Sequence, residues 1–207
     1  PYFYEVLNKI KFNEFDLPDL KYFTQAGGAL RKDLIEYFVA YSEKNKKEFV
    51  IMYGQTEATA RITYLPYKML RKKIGSVGIP ITGGKIHLVS DKSKHDKKGE
   101  IIYEGKNVSL GYAKNFKDLT KEDENKGILK TGDLAVKDSD GYLYITGRIK
   151  ELIIGTGGEN IAPVFIEKNI KNELPILSNV VTIGDNRKYL TILITLKCIA
   201  NEDDSFS

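Results

Sequence analysis

Cysteine is almost absent from this chain. Cys198 is the single cysteine in 207 residues, so no disulfide can close within it and no cysteine-based zinc site can form. It lies in the alternation Leu193-Ile194-Thr195-Leu196-Lys197-Cys198, which reads as a buried strand position and not as a reactive thiol. Histidine is nearly as scarce. His87 and His95 are the only two, and neither pairs with a Ser or Cys in a nucleophile arrangement. His87 sits in a strand pattern, Lys85-Ile86-His87-Leu88-Val89. No apolar run reaches the ~20 residues that a membrane-spanning helix needs, and no secretory leader pattern is present. A strong charge bias is also lacking. Thirty-two basic against 28 acidic residues leave a net charge of +4, too mild and too interspersed to argue for nucleic acid. The densest basic run, Lys68, Arg71, Lys72 and Lys73, reads as a solvated face.

The usual nucleotide and hydrolase signatures are missing as well. The P-loop pattern fails because Ile79 stands where its first glycine belongs and Gly84-Lys85 is followed by Ile86. Gly155-Thr156-Gly157-Gly158-Glu159 is not a dinucleotide fingerprint. No nucleophile elbow of the form G-x-S-x-G occurs.

What is present is an ordinary globular composition, 42% hydrophobic and 29% charged, long enough for one domain with a core or one domain and part of another. Residues 20–24 predict a strand that runs into Gln25-Ala26-Gly27-Gly28-Ala29. Leu30, Leu34, Tyr37, Phe38 and Tyr41 then recur at helical spacing, and residues 48–52 predict the next strand. This is a βαβ unit, expected to pair its strands in parallel. After Gly75 the style changes to short strands at 85–89, 100–104, 133–137 and 142–146. Asp138-Ser139-Asp140-Gly141 forms the hairpin turn between the last two. Residues 117–126 are charged and read as surface helix or loop. From Lys150 a third style begins. A short strand at 151–154 precedes a glycine loop, and Pro163 suits a first helical turn. Phe165, Ile166, Ile170 and Leu174 are expected to form one helix face. Strands at 179–183 and 189–196 follow, joined by a turn at Gly184-Asp185-Asn186. The fold class is therefore α/β, then β, then α+β, with an acidic tail. The second junction, Arg148-Ile149-Lys150, contains no flexible Ser/Gly linker and reads as a defined hinge.

Four short motifs stand out in order: Tyr53-Gly54-Gln55-Thr56-Glu57, Thr131-Gly132-Asp133, Gly147-Arg148-Ile149-Lys150 and Gly157-Gly158-Glu159-Asn160-Ile161. Gly27-Gly28-Ala29 lies upstream, and residues 105–112 (GKNVSLGY) lie between. Together they resemble the adenylate-forming superfamily of acyl-CoA synthetases, peptide-synthetase adenylation domains and firefly-type luciferases. The resemblance runs over nearly the whole chain. Residues 144–163 (YITGRIKELIIGTGGENIAP), Glu173-Leu174-Pro175-Ile176, Ile183-Gly184-Asp185 and Leu196-Lys197-Cys198 are similar to bubblegum-type long-chain fatty-acid–CoA ligases. Residues 53–66 (YGQTEATARITYLP) are more similar to bacterial acyl- or aminoacyl-activating enzymes.

The resemblance implies residues 1–149 as the rear of a large adenylation domain, with an α/β lobe at 1–74 and a distorted β-barrel at 75–149. Residues 150–207 are then the start of a mobile C-terminal domain. It also implies the chemistry: a carboxylate attacks the α-phosphate of ATP in line, pyrophosphate leaves, and a thiol then takes the acyl group. The first step needs positioning and positive charge and no protein nucleophile, so the scarcity of His and Cys does not count against it.

Several candidate residues have a functional and a plain reading, a solvent-facing lysine being the plain one for Lys150. Tyr53 offers a flat face to adenine, worth roughly 1–3 kcal/mol in stacking, or is a core tyrosine. Gly54 lets the backbone pass close to a ligand. Thr56 can donate to a phosphate. Glu57 is a hard oxygen ligand for Mg2+, or an acid at a helix start. Gly27, Gly28 and Ala29 approach the base or the acyl group, or form a plain turn. Asp133, expected at a strand start, can accept from two ribose hydroxyls at about 1.5–3 kcal/mol each. Arg148 reaches ribose or phosphate, or is a surface arginine. By resemblance, Lys150 is the hinge of a domain rotation that brings the Gly157-Gly158-Glu159 loop toward the CoA thiol.

The implied small molecules are ATP or AMP, Mg2+, CoA and a carboxylic acid, a fatty acid foremost. Two competing readings are adenylation of an amino or aryl acid for a carrier protein, and a non-catalytic nucleotide-binding module. The family's phosphate loop and its terminal lysine are expected outside this chain, which begins at Pro1 and not at Met. Lys197 is no substitute for that lysine. The isolated chain is therefore expected to be inactive, with apolar surface exposed around the first segment. Cysteine usage and CoA chemistry point to the cytoplasm, with membrane association left open.

Overall fold

The computed structural model describes residues 2–90 and 97–197; the readings of His95, Cys198 and the acidic tail lie outside these. The chain divides into two compact units, the first ending at Ile145 and the second beginning at Thr146.

The first unit opens with helix α1 (Tyr2–Lys9), then strand β1 (Tyr22–Gln25), helix α2 (Lys32–Lys44) and strand β2 (Glu48–Tyr53). β1 and β2 pair in parallel, with Thr24 opposite Val50 and Gln25 opposite Ile51, as the βαβ pattern predicts. Leu34, Ile35, Phe38, Val39 and Tyr41 of α2 are buried. They are spaced so that one helix face meets Phe49 and Ile51 of β2, and Leu65 and Leu70 complete the core. The rings of Phe23 and Phe49 stack with centroids 4.8 Å apart, and Tyr4 of α1 meets Phe38 edge-on at 4.8 Å. Such pairs add about 0.5–1.5 kcal/mol beyond burial. Strands β3 (Thr63–Leu65) and β4 (Ile79–Pro80) extend this sheet in the order β1-β2-β3-β4, with antiparallel pairing beyond β2. Tyr2, Phe3, Phe15 and Tyr22 of this lobe are exposed.

The second sheet joins β5 (Lys85–Val89), β6 (Lys98–Glu104), β7 (Ile128–Lys137) and β8 (Leu143–Arg148) in sequence order. Alternation places Ile86, Leu88, Ile101, Tyr103, Leu129 and Ala135 inside. They form one cluster with Ala58, Ile62, Val108 and Leu143. The loop that follows β2 is thus rooted in the second core. The sheet is open, with β5 and β8 as edges, so the expected barrel does not close among the described residues. An isolated antiparallel bridge joins Gly78 to Leu143.

In the second unit β9 (Ile153–Ile154) pairs with β10 (Asn160–Ile161) across the glycine loop. Helix α3 (Pro163–Glu173) follows with Pro163 in its first turn. Strands β11 (Leu177–Ile183) and β12 (Thr191–Leu196) pair antiparallel. The expected helix face is half right. Ile166 and Ile170 are partly covered, but Phe165 is 55% and Leu174 51% exposed, because Leu174 lies past the end of the helix and Phe165 stands one residue off the stripe. The inward row is Pro163, Ile166, Glu167 and Ile170. Glu167 earns its place in it by accepting the backbone N–H of Thr182 at 2.7 Å.

Candidate functional site

Tyr53 is the last residue of β2. The chain then turns through Gly54 and Gln55 into a single 3-10 turn, Thr56–Ala58. The turn closes on itself. The N–H groups of Ala58 and Ala60 both donate to the Gln55 carbonyl, at 3.0 and 2.9 Å, and Ile62 N–H donates to Tyr53 O at 2.9 Å. Gly54 is required by this closure, since a Cβ there would stand 2.5 Å from the Ala60 carbonyl oxygen. The close approach is to the chain itself. Thr59 and Ala60 are both left-handed, with φ of 47° and 61°. Two consecutive non-glycine residues in this region hold strain that surrounding contacts must secure.

Asp133 lies inside β7, not at its start as the sequence suggested. The reason is a bulge. The β6–β7 register shifts between Glu100 and Ile102, and Gly132 takes φ of 70°, which a Cβ-bearing residue adopts poorly. The Thr131 hydroxyl donates to Ile101 O at 2.9 Å and accepts the Asp133 N–H at 3.1 Å. Gly132 N–H donates to the Glu100 carboxylate at 3.1 Å. The irregular stretch lets strand pairing resume on both sides of the carboxylate.

Asp133 is only 6% exposed, and a buried carboxylate needs donors. The Tyr53 phenol donates to Asp133 Oδ2 at 2.6 Å, and the Gln55 amide donates to the same oxygen at 2.7 Å and to Thr131 O at 2.8 Å. Two motifs separated by about eighty residues of chain meet on one carboxylate through short charge-assisted bonds.

Comparison with known proteins decides what this arrangement belongs to. The family described as "AMP-binding enzyme" matches residues 1–113, and its "AMP-binding enzyme C-terminal domain" matches residues 150–206. The chain belongs to the AMP-binding enzyme family. It is 38% identical over 209 aligned residues to the long-chain-fatty-acid–CoA ligase ACSBG2 of Xenopus laevis, covering 98% of this chain and 27% of that protein. It is 44% identical over 155 residues to ACSBG1 of Rattus norvegicus, covering 74% and 21%. The chain therefore spans about a quarter of the length of these curated relatives. Among solved structures, O-succinylbenzoate coenzyme A synthetase from Bacillus subtilis in complex with ATP and magnesium matches with TM-score 0.72 and 27% identity, over 93% of this chain and 40% of that one. A Mycobacterium tuberculosis fatty acyl CoA synthetase matches with TM-score 0.63 and 27% identity, over 93% and 39%.

Within this family member the remaining candidate residues fall as follows. Thr56 is exposed on the 3-10 turn. The Glu57 carboxylate accepts from the Tyr112 phenol, and its carbonyl accepts Ser109 N–H at 2.7 Å. The hydrogen bond to that carboxylate pushes the exposed Tyr112 phenol up from its ordinary value. Gly27, Gly28 and Ala29 form the turn between β1 and α2. The buried Gln25 amide donates to the Gly28 carbonyl there at 2.6 Å, so the turn is held from within. Arg148 and Lys150 belong to the second unit. Arg148 ends β8, and Lys150 is exposed in the 3-10 turn Ile149–Glu151. In the glycine loop Gly158 N–H donates to Gly155 O, and Gly155 N–H to Glu159 O, both at 2.9 Å. The Glu159 carboxylate folds back over Gly155 and Gly157.

The donor set suits magnesium. Among the described residues no group of three or more His, Cys, Asp or Glu could hold a metal ion by itself. Magnesium commonly binds through one or two carboxylates and substrate phosphates, not in an all-protein cage. Glu57 offers one such carboxylate.

Sequence reasoning assigned no role to Gln55, Thr131, Asn107 or Tyr112, although each lies inside a quoted motif. Gln55 carried the one usable signal, an amide just after the apolar strand of residues 48–53, where its N–H groups require acceptors if buried.

Proposed function

We propose that this chain is a segment of an AMP-forming acyl-CoA synthetase that activates a fatty acid with ATP and passes the acyl group to the CoA thiol. The observation that carries the reading is the junction of Tyr53, Gln55 and Asp133. It sets an aromatic ring beside a carboxylate, the pair of groups that a purine and its ribose demand. The long-chain-fatty-acid–CoA ligases among its relatives support the choice of acid and acceptor.

In this reading Tyr53 presents its ring to adenine and Asp133 accepts from the ribose hydroxyls. Gly27, Gly28 and Ala29 border the base or the acyl group. Thr56 donates to phosphate, and Arg148 pairs with ribose or phosphate. Glu57 holds Mg2+, which when bound offsets charge on the phosphates. One carboxylate oxygen of the acid bonds to the α-phosphorus as the bond to pyrophosphate breaks. The CoA sulfur then bonds to the acyl carbon, the thiol proton is lost, and AMP leaves with the electron pair of the anhydride bond. Lys150 is the hinge between the large domain, residues 1–149, and the small domain from residue 150. The Gly157, Gly158 and Glu159 loop serves the thiol side. Site residues that position and polarise supply all of this, with no covalent enzyme intermediate.

The test is direct. Titration of AMP into the protein by calorimetry is expected to show saturable binding. Asp133→Ala weakens it at least about tenfold, the equivalent of one lost hydrogen bond to a charged group. Equal affinity in the variant overturns the assignment of Asp133. A panel of acids offered with ATP and CoA to the full-length protein is expected to favour long-chain fatty acids. Preference for an aryl or amino acid overturns the substrate assignment alone.

A further inference from the structure

The strained turn that carries Glu57 is held by a segment to which the proposed reaction assigns no part. Asn107 Nδ2 donates to Ala58 O at 2.7 Å and to Arg61 O at 2.8 Å, on either side of the two left-handed residues. Its Oδ1 accepts the phenol of Tyr103 at 2.7 Å, and Tyr103 is fully buried in the second core. Thr59 Oγ1 donates to Asn107 O at 2.7 Å. Two residues on, Ser109 N–H donates to Glu57 O, and its own carbonyl accepts Asn125 Nδ2 at 2.7 Å. Tyr112 then donates its phenol to the Glu57 carboxylate itself. Residues 107–112 thus grip both the backbone of the turn and the side chain at its tip, and they are anchored to the sheet behind them.

We propose that Asn107 and Tyr112 are positioning residues for the Mg2+ carboxylate. Asn107 fixes the strained turn, and Tyr112 orients the Glu57 oxygens toward the phosphate-bound cation. This rests on the assignment of Glu57 to Mg2+. The physical reason is general: carboxylates that ligate metals are themselves hydrogen-bonded, and removing such a partner typically costs about 10–100-fold in metal affinity or activity. Asn107 suits the task because its two N–H groups span two carbonyls at once. Tyr112 is largely exposed, so loss of its hydroxyl spares the core.

The experiment compares wild type with Glu57→Gln, Asn107→Asp and Tyr112→Phe in the full-length protein. Three quantities are measured. They are the affinity for ATP as a function of Mg2+ by calorimetry, the binding of Mn2+ in the presence of ATP by electron paramagnetic resonance, and the affinity for AMP without metal. Asn107→Asp keeps the shape and removes both N–H donations. Expected for Asn107→Asp and Tyr112→Phe is at least a tenfold rise in the cation concentration that half-saturates ATP binding, with metal-free AMP affinity within about twofold of wild type. An unchanged cation requirement in Tyr112→Phe and in any folded Asn107→Asp, while Glu57→Gln raises it, overturns this inference and leaves the metal assignment standing. An unchanged requirement in Glu57→Gln overturns the metal assignment and this inference with it. Weakening of AMP binding in step with that of Mg·ATP shows a merely structural role and likewise overturns it.

Discussion

Gly54 shows how a residue chosen for one reason on paper serves another in the fold. Its missing side chain admits the Ala60 carbonyl, and that contact closes the turn on which Thr56 and Glu57 stand. Gly54→Ala is expected to destabilise the protein by about 1–3 kcal/mol, the usual cost of overpacking, because the opposing atom is backbone and cannot rotate away. Chemical denaturation of the two forms checks this, and an unchanged midpoint would show that the loop yields. The same scale explains what was legible in the sequence. Tyr53 and Glu57 stood out because their chemistry is unusual at the end of an apolar run, whereas Asp133 was named through the resemblance that Thr131-Gly132-Asp133 carries. Asn107 could not be named, because an amide in a polar loop is informative only once its acceptors are known. Asp133 was misplaced to a strand start because a bulge leaves no mark in the residue alternation beyond Gly132.

Among the elements, the hairpin between β7 and β8 is tied to the segment before β4 by one lysine. Lys73 Nζ reaches Asp138 Oδ2 at 2.7 Å and Asp140 Oδ2 at 2.6 Å, and lies 5.0 Å from the centre of the Tyr142 ring. Bonding to Asp138, then to Asp140, raises the Lys73 ammonium above its ordinary value. Partial burial opposes the charge on Asp138, but Lys73 and the N–H groups of Tyr142 and Asp140 outweigh it and hold the carboxyl below its ordinary range. The depressed acid contributes stability above its unfolded value near 3.8, lost as pH falls through the lower folded one. The raised lysine contributes below its unfolded value near 10.5, lost as pH rises through the higher folded one. The melting-temperature gap between wild type and Lys73→Met is therefore expected to be open at pH 7 and to narrow below about pH 3.8 and above about pH 10.5. A gap independent of pH would show that packing alone is lost. The turn Asp138-Ser139-Asp140-Gly141 was legible in the sequence, since Asp138 Oδ1 accepts the N–H groups of Asp140 and Tyr142 as turn aspartates commonly do. Its partner 65 residues away was not, because sequence carries no distance between separate turns. β3 and β4 were also missed, being only three and two residues long, too short for periodicity to register.

Taken whole, the molecule leaves much apolar surface uncovered. In the second unit Val181, Ile183, Ile192, Leu193, Ile194 and Leu196 are all exposed, and β12 pairs only with β11 among the described residues. An apolar edge strand is a template for further pairing. The isolated chain is expected to self-associate with rising concentration in light scattering. Replacing Ile192 and Ile194 together by lysine is expected to reduce this, since edge charges block strand addition. Unaltered scattering would move the sticky surface to the exposed aromatic residues of the first unit. The order of three structural styles was readable because helix-spaced and strand-like runs, with the turn residues between them, succeed one another in a different mixture in each segment. Whether the second sheet closes was not, since closure depends on tilt and stagger and not on pattern.

The bond from Tyr53 to Asp133 carries a consequence for biosynthesis. A chain emerging from the ribosome completes β2 long before β7 exists, and the loop between them must close before either group meets the other. On the proposed nucleotide assignment, ligand cannot chaperone the early lobe and locks only the product in which both groups have met, so nucleotide in the translation mixture is expected to rescue late misfolding and leave early misfolding untouched.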